Sequence, residues 1–115
     1  MSNNQNNTQA VNFDTLRSLA YTSVSGSYAA IGTPFLHIVR MLCITNDTDG
    51  DMLFSLDGVH DQIVLIAGSA KIFDFNTNRT NRDQLFALQE NTQFYVRYAS
   101  MPTKGTVYVE CMWGQ

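Results

Sequence analysis

Charge is scarce in this sequence. Asp, Glu, Lys and Arg make up 15% of its 115 residues, where soluble domains carry about 25%. The seven cationic residues are scattered, and only Arg79 and Arg82 stand close together. Neutralising a phosphate backbone needs several converging cations, so nucleic-acid binding is disfavoured. Cysteine is limited to Cys43 and Cys111, with no His or Cys at ligand spacing, and the pair makes no zinc site. No apolar run approaches the ~18 residues of a membrane-spanning helix. The opening Met1-Ser2-Asn3-Asn4-Gln5-Asn6-Asn7 has neither a charged stretch nor an apolar one, unlike a secretory signal, and synthesis in the cytoplasm is expected. No periodic segment is long enough for a helix of three turns. Glycines 26, 32, 50, 58, 68 and 105 each fall at an expected bend, and none belongs to a nucleotide-binding glycine loop.

Hydrophobic residues, at 44%, are plentiful. A chain of this length has room for one domain and should bury roughly two-thirds of its unfolded surface. Asn, Gln, Ser and Thr keep the remainder wet. A surface poor in charge suits a protein covered by neighbours, because few charges need desolvating on docking. It equally describes an ordinary surface wetted by uncharged polar groups. Residues 1–12 form an Asn/Gln/Thr-rich segment too polar to bury itself, expected to be a flexible N-terminal arm. Residues 13–115 are expected to form the folded domain.

Within that domain the pattern is one of strands. Residues 16–30 predict two short strands or one bent strand around Gly26. Residues 35–45 are the strongest core segment, with Leu36, Ile38, Leu42 and Ile44 on one face and Val39, Met41 and Cys43 on the other. Apolar on both faces, it predicts a central strand covered on both sides. Strands follow at 52–56, 62–67 and 71–75, then a polar loop at 76–81. Residues 83–88 fit a helical turn or a short strand. Residues 92–99 alternate Phe94, Val96 and Tyr98 against Tyr95 and Arg97. A hairpin loop at 101–105 precedes residues 106–113, which alternate Val107, Val109, Cys111 and Trp113 against Tyr108 and Glu110. Seven or eight short strands at regular spacing predict an all-β, sandwich or jelly-roll-like domain.

The polar constellations fit turn chemistry. Asp47-Thr48-Asp49-Gly50-Asp51 resembles a calcium loop in its alternating carboxylates, but the closing position is Gly58 and the flanks are strands. A tight hairpin turn, with Gly50 at positive φ, is the expectation. His60 lies between Asp57 and Asp61, half of a catalytic or metal arrangement without its other half, and reads as a loop histidine. His37 reads as a core or interface histidine. The two cysteines read as buried reduced thiols, with a disulfide open only if their strands are neighbours. No catalytic, cofactor or metal residues are assigned. Tyr95 and Tyr108, opposite the inferred core, are candidates for an assembly surface or a carbohydrate platform. Asn3, Asn4, Gln5, Asn6 and Asn7 are candidates for an arm laid over a neighbour.

The run Ile44-Thr45-Asn46-Asp47-Thr48-Asp49-Gly50-Asp51-Met52-Leu53-Phe54-Ser55-Leu56-Asp57-Gly58 continues with Asp61, Ile66-Ala67-Gly68-Ser69 and Asp74. Together with Gly105-Thr106-Val107-Tyr108-Val109, it resembles a group of small virion structural proteins of tailed bacteriophages. The resemblance spans most of residues 35–113 and rests largely on turn and strand residues. It implies a non-enzymatic β-sandwich subunit of the virion, made in the host cytoplasm. The expected role is capsid decoration or cement, with a head–tail or tail-associated subunit as the alternative. The expected partners are other virion proteins, the major capsid protein or head–tail and tail proteins, together with further copies of itself. Nucleic acid and membrane are not expected partners. From a different class, a small carbohydrate- or ligand-binding β-domain is the second alternative.

Overall fold

The computed structural model describes residues 11–75 and 88–114. The loop expected at 76–81, nearly all of 83–88, and Asn3 to Asn7 of the arm lie outside them. Among the described residues, nine strands form two antiparallel sheets. In the first, β1 (Val11–Phe13) and β2 (Arg17–Ala20) lie end to end along β9 (Gly105–Gly114), followed by β4 (Val39–Thr48) and β7 (Ser69–Asp74). In the second, the order is β3 (Ala29–Ala30), β8 (Tyr95–Tyr98), β5 (Met52–Ser55) and β6 (Ile63–Leu65). Val11 and Asn12, expected in the arm, are part of β1.

With β1 and β2 taken as one interrupted strand, the pairing has a simple rule. First pairs with last, second with seventh, third with sixth and fourth with fifth. That is a long hairpin rolled on itself, the jelly-roll connectivity. The core lies between the sheets, where inward-facing residues interdigitate: Leu42 and Ile44 from β4 and Val107 and Val109 from β9 meet Met52, Phe54 and Val96. The period-2 alternation of 92–99 and 106–113 places these side chains as expected.

The segment 35–45 departs from its expected pattern. Val39 pairs with Trp113 and Met41 with Met112, which leaves Arg40 as one extra residue. A bulge of one residue exchanges the faces upstream of it. Val39 is therefore buried alongside Leu42, while Leu36 and Ile38 precede the strand with 60% and 48% of their surface exposed. β4 is central in its sheet, yet only its inner face is covered; Met41 and Cys43 on the other remain partly open.

Two expected hairpin turns are corners between sheets. Residues 46–51 carry the chain from β4 to β5, and 101–105 from β8 to β9. The same turn formers serve either geometry, so only partner choice separates them. Buried Asn46 anchors the first corner: its Nδ2 donates to the carbonyls of Gly50 and Leu65 at 2.9 and 3.0 Å. Its Oδ1 accepts from the Thr48 hydroxyl at 2.6 Å. Gly50 is not at positive φ. It is required because a Cβ there would stand 2.4 Å from the Ser100 carbonyl oxygen of the second corner. Gly105, at φ +100°, would bring its Cβ to 1.9 Å from the Asp47 carbonyl oxygen.

Candidate docking face

Because Val107, Val109 and Cys111 point inward, the residues between them point out of the first sheet. Register then assembles the outer face. Phe13 stands beside Met112, Met112 beside Met41, and Cys43 lies between Glu110 and Ile72. These side chains wall a shallow groove of about 130 Å³. Phe13 is 75% exposed and Ile72 70%. Farther along the same face the side chains become small or polar: Ser18, Thr45, Ala70 and Tyr108.

Arg17 fixes the end of the sandwich nearest the groove. It is buried, and its guanidinium donates to the carbonyls of Thr33, Thr15 and Pro34 at 2.5, 2.7 and 2.8 Å. It lies 4.9 Å from the centre of the Phe35 ring, a favourable cation–π distance. Asp14 stands 3.6 Å away. Burial alone would raise the Asp14 carboxyl, but the N–H groups of Thr15 and Leu36 and the Arg17 charge leave it below its usual range. Nearby, the His37 ring stacks on Trp113 with centroids 3.7 Å apart. Cys111 pairs with Leu42 and Cys43 with Glu110, so the two thiols face opposite sides of one sheet. Both are free, and burial pushes the Cys111 thiol up to about 11.

The structure separates the two candidate tyrosines. Tyr108 stands on the outer face of the first sheet, and Tyr95 on that of the second. Tyr95 is occupied by its own chain: a Cβ on Gly58 would meet its ring at 3.4 Å. They do not share one platform.

Around Tyr95 the β5–β6 loop packs against the second sheet. The buried Ser55 hydroxyl donates to Asp57 Oδ1 at 2.7 Å and accepts from the Gly58 N–H at 2.9 Å. Asp57 in turn accepts from the N–H groups of Val59 and His60 and sits 2.8 Å from His60 Nδ1. The His60 N–H and ring, with Ser55, hold the Asp57 carboxyl well below the usual carboxylate range. Asp61 receives two bonds from Arg97, at 3.0 and 2.7 Å, and one from the Tyr28 hydroxyl at 2.5 Å. Arg97, then Tyr28, lower the Asp61 carboxyl. Burial and the bond to Asp61 push the Tyr28 phenol up to about 12. The geometry makes this cluster a fastening for a loop.

The acidic corner is likewise occupied. Asp49 accepts from the Thr103 N–H at 2.7 Å, from the Thr103 hydroxyl and from the Lys104 N–H. Asp51 accepts from the Ala67 N–H at 3.0 Å. Among the described residues, no group of three or more His, Cys, Asp or Glu is placed to hold a metal ion.

Sequence reading missed the groove because it assigned Met41 and Cys43 to a covered face. It also missed the partners that Arg17 finds in Thr33 and Pro34 and Asp61 finds in Tyr28 and Arg97, which lie 16 to 36 residues away and follow no spacing. Comparison with known proteins returns no match to a family model, a curated protein or a solved structure.

Proposed function

We propose that this chain is a non-enzymatic structural subunit of a tailed-phage virion, a capsid decoration or cement protein acting by burying surface between subunits. The observation that carries the docking role is the apolar half of the first sheet's outer face, which no described residue covers. Large exposed apolar patches rimmed by polar residues mark interaction sites. The polar groups support the same reading, since Arg17, Asp49, Asp57 and Asp61 all fasten this chain to itself. The virion setting comes from the resemblance of residues 44–58 and 105–109. A head–tail or tail-associated place is the alternative within that setting.

Locating the protein in a map of the intact particle tests this reading. Copies spread over the lattice support decoration; a ring at one vertex assigns the tail apparatus; absence from the particle overturns both. The arm has its own test. Deleting residues 1–10 spares β1, and should leave the isolated domain folded while weakening incorporation. Normal incorporation would reject a role for the arm.

A further inference from the structure

We infer that the groove on the first sheet receives a protein partner presenting an apolar side chain flanked by a lysine or arginine, whose cation pairs with Glu110. This rests on the docking role proposed above and specifies the chemistry of what docks. Glu110 is exposed and makes no ion pair with a described residue. It projects from β9 beside Cys43, two residues from Met112, and so stands among apolar neighbours. Covering a carboxylate there without a counter-charge carries a large desolvation penalty, which an incoming cation offsets. Such complementarity also fixes register and rejects wrong partners. Met41 and Met112 give the walls adaptable, polarizable side chains that fit an irregular apolar insert.

Two other occupants fit less well. Residues 1–10 read Met-Ser-Asn-Asn-Gln-Asn-Asn-Thr-Gln-Ala, with only Met1 as a sizeable apolar side chain. A second copy docked by a twofold axis places the same patch against itself, burying two Glu110 carboxylates in a contact whose lining residues supply no cation. A basic, apolar surface of a different protein meets both requirements.

The full chain can be titrated with two synthetic peptides that share their apolar residues and differ only in carrying lysines or glutamates beside them. Methyl NMR signals of Met41 and Met112 report occupancy. The lysine peptide should bind about tenfold tighter than the glutamate peptide, equal to ~1.4 kcal/mol. Glu110→Gln should erase that preference and Glu110→Lys should invert it. Equal affinities, or shifts that spare both methionines, would overturn the inference. So would concentration-dependent dimerisation that broadens those methyl signals, which would assign the groove to a second copy. Incorporation into particles separates the inference from the reading beneath it. Loss with both Ile72→Arg and Glu110→Lys supports both. Loss with Ile72→Arg alone keeps the docking face and removes the charge pairing, whereas normal incorporation of both variants rejects the docking face itself.

Discussion

The two sheets share one core but differ on their outer faces. Over β3 and β8 the second sheet is closed by its own β5–β6 loop, fastened through Tyr28, Asp61, Arg97 and Gly58. Among the described residues, the first sheet has no such cover over Phe13, Met41, Cys43 and Ile72. A loop that brings its own hydrogen bonds satisfies a polar face within the chain. The apolar face of the first sheet carries Glu110, which forms no ion pair with a described residue, and under the proposed function another molecule completes it. Substitutions on the closed face should therefore act on stability, and those on the open face on association.

Four measurements test that contrast, beginning with the core beneath both faces. Phe54→Ala should lower unfolding free energy by about 3–5 kcal/mol in chemical denaturation, because Phe54 is fully buried and contacts neither exterior. A smaller loss would mean that the sheets are joined less tightly than their side chains indicate. Next comes the corner that joins them. Asn46→Ala strands the Gly50 and Leu65 carbonyls and should cost about 1–3 kcal/mol, read by the same method.

A smaller effect is expected at the loop fastening. The Asp61 carboxyl is lowered in the folded protein, so its stabilisation is present above the unfolded value of about 3.9. It is lost as pH falls below that value through the folded one. Asp61→Asn should lower the melting temperature at neutral pH, and the difference from the unsubstituted chain should vanish in acid. At the alkaline end Tyr28 acts with the opposite sign. Its raised pKa makes its contribution full below about 10 and lost as pH rises through about 12. The least effect on stability belongs to the open face: Ile72→Arg should stay within about 0.5 kcal/mol by thermal unfolding. A large loss there would show that the face is internal support and would erase the contrast.

Much of the architecture was legible because strands write a period of two into the sequence. The alternation of residues 92–99 and 106–113 identified Phe94, Val96, Val107 and Val109 as core, and all four are buried. The failures have physical causes. A bulge leaves no composition signal, so Arg40 displaced the expected face of Leu36, Ile38 and Val39. Turn formers do not say whether the next strand joins the same sheet, so two corners read as hairpins. The open face was illegible for a further reason: Met41 and Cys43 are apolar whether covered by their own chain or by a partner. The polar fastenings of Arg17 and Asp61 depend on contacts across long sequence separations, which no local pattern encodes.

The pairing of the first strand with the last bears on how the chain acquires its structure during synthesis. β9 is flanked by β1 and β2 on one side and β4 on the other, so the middle of the first sheet is the last of the nine described strands to leave the ribosome. Until it emerges, β1 and β2 have no strand partner among the described residues, and β4 has β7 and the bridge from Val39 to Leu88. Folding dominated by such distant pairings is slow, and unpaired edges in the waiting chain invite association with other nascent chains. The abundant Asn, Gln, Ser and Thr of the early segments would help keep the incomplete sheet wetted until β9 closes it.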